Sequence, residues 1–367
     1  MTAIEAILSV NRKESLRRHN VNNYVIGLVL TETEGFFYND PCIGSCRGNR
    51  RGSHAFQAVR SSDSCSNDFW LARHEVPLSH EIDASAKEAN IQPLELHALS
   101  LRRHILRMAE RVGQGYVGQG LGIADLLAVL YFREMKYDPQ NLNWPDRDRF
   151  LLSIGHYSIG LYAALAEAGV ITVDELDTYG ADQSRLEMSG SEITPGFEMT
   201  GGSLGHGLGQ AVGMALGVRL DKRPSRIFDL LSDGELQEGS TWEAAMAAAH
   251  HRLDRLFAFI DCNDQQADGP PRQVLNVEPV QEKWKAFGWD TRRINGNDLH
   301  AIVDAIDAAK GVTGKPHAII LDTLMGKGVR TFEEREKNHF IRVEPDEWRL
   351  AREQLEENAQ PRAKRSA

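Results

Sequence analysis

Four short apolar runs, separated by longer segments, are the feature that most narrows the fold of this chain. Each run is bounded by polar residues or glycines, and the four are Arg149 to Ile154, Arg226 to Leu231, Leu256 to Asp261 and His317 to Thr323. Apolar residues at helical spacing predict helices over Leu94 to Val112 and Ile123 to Met135. Buried strands that alternate with helices belong to a mostly parallel sheet with helices on both faces. We therefore expect an α/β fold of this type.

The overall charge argues against a general affinity for nucleic acid. Lys and Arg number 42 against 52 Asp and Glu, a formal net charge of −10 in 367 residues. A bound phosphate therefore needs a local site. No run of about 18 apolar residues is present to cross a bilayer, and the N-terminus lacks the order of a secretory signal. We expect a cytoplasmic protein that binds neither nucleic acid nor membrane.

The first 92 residues differ from the rest of the chain. Segments such as Cys42 to Arg51 and Ser61 to Asn67 are rich in Ser, Gly, Asn and Arg and show no apolar period. We predict a disordered, irregular extension over residues 1–92, one α/β domain over 93–347, and a C-terminal helix with a basic tail over 348–367. No zinc site is expected in the extension, because its candidate ligands fit no usual spacing; they are Cys42, Cys46, His54, Cys65 and His74.

One strand–helix–strand unit carries most of the chemical information. The strand Arg226 to Leu231 runs into Asp233-Gly234, a helix follows, and the next strand runs into Asn263. Ligands of parallel sheets sit beyond the carboxyl ends of the strands, so Asp233 and Asn263 should meet at that edge. A carboxylate and an amide oxygen suit Mg2+, which usually shares phosphate oxygens with a substrate. Gly234 lets the backbone approach a phosphate, and the following helix N-terminus favours its charge.

These residues resemble a known signature. Asp233-Gly234 followed by Asn263 is similar to the thiamine diphosphate (ThDP) motif Gly-Asp-Gly…Asn, with Ser232 in place of the first glycine. Further segments resemble motifs of the transketolase family in the same order, namely Asp148 to His156 (DRFLLSIGH), Thr200 to Gly207 (TGGSLGHG), and Met325 to Val329 (MGKGV) followed by His339. The resemblance covers roughly residues 94–347. It implies the ThDP-binding fold of the N-terminal half of a transketolase, with a mostly parallel sheet and helices on both faces.

The resemblance also implies roles for individual residues. Mg2+ would be bound by the side chains of Asp233 and Asn263 and by the main-chain carbonyl of Gln265. The implied cofactor-binding residues are His156, Gly202, Ser203, Leu204, Gly234, Glu235, Asn263 and His339. The implied catalytic residues are His156 and His339, which would move hydroxyl protons, and Glu238, which would help join two active sites across a dimer.

Two positions depart from the family pattern. Tyr116, in the segment Gln114 to Gly120, stands where a substrate-contacting histidine is expected. Ser189 stands where a second histidine would recognise the terminal hydroxyl of the donor. Tyr and Ser form hydrogen bonds but do not become cationic near neutral pH. We expect retained ThDP and Mg2+ binding with an altered donor pocket that includes Tyr116, Ser189 and His339.

The length implies a partner. Few residues follow Gly328, whereas a further domain takes at least about 50. A transketolase needs a pyrimidine-binding domain as well, so the resemblance implies a split enzyme. We expect this chain to pair with a C-terminal, pyrimidine-domain transketolase subunit in a heterotetramer and to be active only with it. The expected reaction moves a two-carbon ketol unit from a ketose, a sugar phosphate, to an aldose.

Parts of the sequence also allow other interpretations. The α-type E1 subunit of a 2-oxoacid dehydrogenase also carries the Mg2+ motif, and a non-catalytic ThDP-binding subunit would keep the same residues; both stay open. The segment Gly113 to Gly118 is a literal G-x-G-x-x-G, but it follows a helix rather than a strand. It therefore lacks the context of a dinucleotide site, and we do not expect NAD to bind there.

Overall fold

The computed structural model describes residues 84–359, with side chains from residue 91 onward. The described residues all belong to one compact unit. The predictions made for residues 1–83, including the cysteines and histidines weighed as zinc ligands, and for the basic tail after residue 359 lie outside the described residues. Within them, no helix is long and apolar enough to cross a membrane.

Five parallel strands form the central sheet. In chain order, the strands of the described residues are β1 (Gln114–Gly115), β2 (Arg149–Leu152), β3 (Ile227–Ser232), β4 (Leu256–Cys262), β5 (Asp290–Asn295), β6 (His317–Asp322) and β7 (Ile341–Arg342). The sheet has the order β2-β3-β4-β6-β5, and β1 pairs with β7 as a separate antiparallel ribbon. All four predicted strands are present, and the predicted parallel α/β sheet is confirmed.

The edge strand β5 has no counterpart among the predicted strands. Its sequence, DTRRIN, contains a single aliphatic residue, Ile294. Among the described strands it pairs only with β6. The Arg293 guanidinium lies 2.8 Å from an Asp322 carboxylate oxygen and 2.9 Å from a Glu278 carboxylate oxygen. The side chains of β5 are half-buried or exposed, whereas those of the other edge strand, β2, are mostly buried. A strand as exposed as β5 needs no apolar run and leaves no such signal in the sequence.

The strands are covered on both faces by helices. In chain order these are α1 (Ala84–Val112), α2 (Val117–Gly122), α3 (Ala124–Val129), α4 (Ser158–Glu167), α5 (Gly207–Leu220), α6 (Gly239–His250), α7 (Pro271–Val274), α8 (Val280–Ala286), α9 (Leu299–Lys310), α10 (Arg330–Glu333) and α11 (Pro345–Ala359). Side chains of β3 alternate between two apolar layers. Phe228 and Leu230 lie in the layer with α1 to α4, α9 and α11, whereas Ile227 and Leu231 lie in the layer with α5, α6 and α8.

The two ends of the described region differ from the expected boundaries. Helix α1 begins at Ala84 and contains Pro93, although proline lacks a backbone N–H and is expected near the start of a helix. Helix α11 places Trp348, Ala351 and Leu355 in the same apolar layer as α1. Both expected limits, after residue 92 and after residue 347, therefore fall inside helices that belong to the α/β unit.

Candidate cofactor site

Asp233 and Asn263 lie side by side where β3 and β4 end. The two strands are parallel neighbours with Ser232 opposite Asp261, and the Asp233 backbone N–H donates to the Asp261 carbonyl at 3.0 Å. Both residues are buried, with 4% of Asp233 and 8% of Asn263 exposed. The parallel register thus brings the two predicted metal ligands to one edge of the sheet, as the sequence predicted.

The amide of Asn263 has a defined orientation. Its nitrogen donates to the Tyr157 hydroxyl at 2.7 Å and to the Asp261 carboxylate at 2.6 Å. The Tyr157 hydroxyl in turn donates to the same carboxylate oxygen at 2.8 Å. Because the amide nitrogen is engaged in this way, Oδ1 points to the other side, where it accepts the Gln265 backbone N–H at 3.1 Å. Asn263 therefore offers an oxygen, the atom that Mg2+ prefers.

The electrostatics of this edge suit a cation. Burial raises the pKa of Asp233 to about 7, and the nearby Asp261 carboxylate contributes to that rise. Burial also raises the pKa of Asp261, against the lowering effect of hydrogen bonds from Thr323, Tyr157 and Asn263. A divalent cation would offset two desolvated carboxylates. Among the described residues no group of three His, Cys, Asp or Glu side chains is placed to hold a metal, and the set expected here uses one carboxylate with amide and carbonyl oxygens instead.

The loop that carries Gly202, Ser203 and Leu204 is held by a contact between two glycines. A Cβ atom built on Gly155 would lie 2.5 Å from the Gly201 Cα, and one built on Gly201 would lie 2.3 Å from the Gly155 Cα. Gly202 has a φ of +144°, which favours glycine. Gly202 and Ser203 are exposed and Leu204 is half-buried. The base of the loop is thus held by a close backbone contact, and its tip, the predicted cofactor-binding segment, is open.

The Glu235 side chain forms hydrogen bonds that hold this loop. Its side chain is fully buried, and one carboxylate oxygen accepts the Gly205 backbone N–H at 2.7 Å and the Ser153 hydroxyl. Burial raises the pKa of Glu235 to about 7. These contacts make Glu235 a positioning residue for the loop, and a direct contact with the cofactor stays a prediction. Glu238 is exposed at the N-terminus of α6.

Tyr116, His156 and His339 form a cluster of three rings. The Tyr116 ring centroid lies 4.8 Å from that of His156 and 5.6 Å from that of His339, and the two imidazoles are 5.3 Å apart. Burial lowers the pKa of His156 to about 3, with a contribution from His339, and burial also lowers the pKa of His339. Both imidazoles are therefore neutral near pH 7. The structure brings together three residues that are far apart in the sequence.

Ser189 lies beside the glycine loop. Its hydroxyl donates to the Gly201 carbonyl at 3.1 Å, and a Cβ on Gly202 would lie 3.6 Å from the same hydroxyl oxygen. The next residue, Gly190, donates its N–H to the Gly155 carbonyl at 2.9 Å and accepts the Gly201 N–H at 2.8 Å. Ser189 thus borders the segments that carry His156 and the predicted cofactor loop.

Tyr157 and Gln265 connect the Asp233 and Asn263 pair to the cluster of three rings. The Tyr157 ring lies 4.8 Å from the His156 ring while its hydroxyl binds Asn263. The Gln265 side-chain oxygen accepts the backbone N–H of Asn338, the residue before His339, at 2.9 Å. The predicted residues therefore surround one region of the sheet edge.

Sequence reasoning missed three residues that orient this site. Tyr157 follows the predicted His156, and Asp261 precedes Asn263 by two positions, so their closeness to predicted residues was the only available signal. Gln119, which is buried, contacts His339 across 220 positions of sequence. Nothing local to Gln119 predicts that contact, since it depends on how α2 packs.

Comparisons with known proteins agree with this geometry. Residues 97–363 match the family described as transketolase, thiamine diphosphate binding domain. A transketolase family protein of Sinorhizobium fredii, named as putative and uncharacterised, is 58% identical over 253 residues, which cover 68% of this chain and 91% of that protein. A Clostridium 6-deoxy-6-sulfo-D-fructose transketolase subunit is 42% identical, covering 72% of this chain and 96% of the relative. One subunit of an apulose-4-phosphate transketolase of Actinobacillus succinogenes is 39% identical with the same coverages, 72% and 96%.

Solved structures give the same result. The transketolase of Campylobacter jejuni superposes with a TM-score of 0.69 at 32% sequence identity, covering 73% of this chain but only 43% of that protein. The matched region therefore spans less than half of the length of that transketolase. The predicted family, ThDP-binding fold and class of ThDP-dependent transferase are confirmed: the chain belongs to the transketolase family, and residues 97–363 are its thiamine diphosphate-binding domain.

Proposed function

We propose that this chain is the cofactor-binding subunit of a two-chain transketolase that moves a two-carbon ketol unit from a ketose phosphate to an aldose. The observation that carries the proposal is the buried pair Asp233 and Asn263, which is linked through Tyr157 to the His156 and His339 imidazoles. This arrangement supports a site for a metal and a diphosphate next to neutral groups that hydrogen-bond to hydroxyls. A cytoplasmic location stays a prediction from the sequence.

The residues present fit ThDP with Mg2+. Asp233 and Asn263, with the main-chain carbonyl of Gln265, would hold Mg2+, and the backbone of Gly202 to Leu204 and of Gly234 would receive the diphosphate. When bound, ThDP supplies the carbon nucleophile that accepts the ketol unit and passes it on. His156 and His339, both neutral, would orient hydroxyl groups of the sugar and exchange protons with them.

A partner subunit would complete the enzyme. Two relatives with 96% of their length covered by this chain are named as transketolase subunits, whereas the Campylobacter jejuni transketolase is more than twice as long as the matched region. We infer that a pyrimidine-domain transketolase subunit supplies the remainder and that the assembly is a heterotetramer. The exposed carboxylate of Glu238 would meet another chain of that assembly.

Mixing the two subunits tests the proposal. We expect the purified chain to show no ketol transfer by itself with Mg2+, ThDP and a panel of ketose phosphates. Addition of a C-terminal, pyrimidine-domain transketolase subunit should produce turnover that requires both ThDP and Mg2+, because each chain would hold only part of the cofactor site. Turnover by the single chain would contradict the two-chain assembly. Decarboxylation of a 2-oxoacid by the mixture, without ketol transfer, would identify the E1-type alternative instead.

The donor pocket of this chain should favour an unusual ketose. Tyr116 and Ser189 occupy the positions of two family histidines, and the relatives above are named for 6-deoxy-6-sulfo-D-fructose and apulose 4-phosphate. Neither side chain offers a positive charge to a donor substituent. We infer that the best donor is a ketose other than the common pentose and hexose phosphates.

Replacing Tyr116 by histidine tests the altered pocket. We expect Tyr116→His to raise kcat/KM for xylulose 5-phosphate relative to the best donor by about 10-fold, which corresponds to about 1.4 kcal/mol of transition-state binding. The affinity for ThDP should change by less than this factor, because Tyr116 lies against the rings of His156 and His339 rather than against the Asp233 and Asn263 pair that would hold Mg2+. Steady-state kinetics of the two-chain enzyme give both values. An unchanged donor ratio would exclude Tyr116 from donor selection.

A further inference from the structure

Gln119 makes two contacts with His339 through a single atom. Its side-chain nitrogen Nε2 donates to the His339 main-chain carbonyl at 2.6 Å and lies 3.2 Å from Nδ1 of the His339 ring. The residue is buried, with 1% exposed. Gln119 therefore holds both the backbone and the ring of a residue that we place in the donor pocket.

The carbonyl contact determines which way the amide faces. A carbonyl oxygen only accepts hydrogen bonds, so the amide nitrogen of Gln119 must face it. Turning the amide would bring Oε1 against the His339 carbonyl oxygen. At the other end of the amide, Oε1 is buried and has no hydrogen-bond partner among the described residues. The amide is thus held by its nitrogen alone.

The orientation of the amide assigns the proton on the imidazole. An amide nitrogen carries two hydrogens, one for the His339 carbonyl and one for Nδ1, and it accepts no hydrogen bond. Nδ1 must therefore be the acceptor. In a neutral imidazole the single proton then resides on Nε2. Burial lowers the pKa of His339, which favours this neutral form.

The position of Gln119 is set by close backbone packing. A Cβ on Gly118 would lie 3.0 Å from atoms of Asn338, and one on Gly120 would lie 2.8 Å from a methyl group of Ile159. The Gly118 carbonyl also accepts the Gly326 N–H at 2.8 Å. Gly118 thus brings the turn of α2 that carries Gln119 against the segment that carries His339, and Gly120 allows the same turn to pack closely against α4.

We propose that Gln119 is a positioning residue that holds His339 in the tautomer with its proton on Nε2. His339 then presents an N–H group to the ketose substrate beside Tyr116 and His156. The assignment of the donor sugar rests on the proposed function, whereas the tautomer does not. A fixed N–H group on Nε2 would donate a hydrogen bond to a carbonyl or hydroxyl oxygen of the sugar. It would disfavour a sugar group at that position that can only donate a hydrogen bond.

Nitrogen NMR of the full chain, labelled with [15N]histidine, tests the tautomer. His339 signals are assigned by their loss in His339→Asn. We expect Nδ1 of His339 to resonate as an unprotonated, pyridine-type nitrogen and Nε2 as a protonated one, at a pH above the pKa of the ring. A spectrum with the proton on Nδ1, or with averaged signals from both tautomers, would overturn the proposal without any variant. The measurement needs no partner, ThDP or turnover, so a failure of the proposed function would not affect it.

Two substitutions test the role of Gln119 itself. Gln119→Leu removes both hydrogens, so the two His339 tautomers should become mixed. Gln119→Glu supplies only acceptors, so the proton should move to Nδ1 or the ring should become doubly protonated. Gln273→Leu, at an exposed position of α7, is the matched control and should leave the His339 signals unchanged. His339 signals in both Gln119 variants that match those of the unaltered chain would show that Gln119 does not control the tautomer.

Discussion

Asp233→Asn is expected to weaken Mg2+-dependent binding of ThDP by about 100-fold or more, since loss of even an outer partner of a metal ligand typically costs about 10- to 100-fold in affinity. The asparagine keeps the size of the side chain and an oxygen to accept the Gly234 N–H, which lies 2.7 Å from Oδ1 of Asp233. It removes the negative charge that would bind the cation. The substitution therefore separates the charge of Asp233 from its packing.

The same change should not unfold the protein. Burial raises the pKa of Asp233 to about 7, so the ionised carboxylate is disfavoured by its surroundings, and a neutral amide avoids that cost. We expect the thermal unfolding midpoint of the metal-free chain to stay the same or rise. Loss of binding together with retained stability would identify a ligand role rather than a structural one.

Asp264→Asn is the matched control, because it makes the same chemical change at an exposed position of the segment that follows β4. The Asp264 side chain is 65% exposed and pairs with Arg272. Its φ of +58° is one that asparagine tolerates well. Calorimetric titration measures the binding affinities of both variants. ThDP is titrated with Mg2+ into the two-chain enzyme, and inorganic pyrophosphate is titrated with Mg2+ into the single chain. Equal affinities for Asp233→Asn and Asp264→Asn would remove Asp233 from the metal site.

Gly155→Ala is expected to destabilise the chain by about 3 kcal/mol and to abolish measurable binding of ThDP, since overpacking typically costs about 1–3 kcal/mol. The new Cβ would lie 2.5 Å from the Gly201 Cα and 2.6 Å from the Gly201 carbonyl carbon. Because the opposing atoms belong to the backbone, no side-chain rotation relieves the contact, which places this substitution at the upper end. The loop that carries Gly202 to Leu204 must move away from His156.

Gly213→Ala provides the comparison. Gly213 lies inside α5, and a Cβ there would meet nothing within 4 Å. Replacing a glycine in a helix interior by alanine is expected to stabilise by about 0.5–1 kcal/mol. Thermal and denaturant unfolding of the isolated chain therefore should shift in opposite directions for the two variants. A Gly155→Ala protein as stable as the unaltered chain would show that the contact between the two glycines is not required.

The sequence alone predicted the fold class and the meeting of Asp233 and Asn263 at one edge of the sheet because the relevant signals are local. Strands with buried side chains must be apolar, so β2, β3, β4 and β6 are visible as runs, and ligands of parallel sheets sit beyond the strand ends, so Asp233 and Asn263 stand out. The edge strand β5 was not predicted because its exposure removes the need for apolar residues. The roles that the family resemblance assigns to single residues also depended on local motifs.

Only the tertiary structure decided how these residues are oriented. The hydrogen bonds of Tyr157 and Asp261 turn the Asn263 oxygen to one side, and Glu235 binds the glycine loop rather than facing outward. Gln119 reaches His339 across 220 positions of sequence, where Gly118 allows a close approach to Asn338. The apolar pattern of a chain determines which elements form and which face is buried. Which polar groups meet at the edge of the sheet depends on close contacts between segments far apart in sequence, and no local pattern records them.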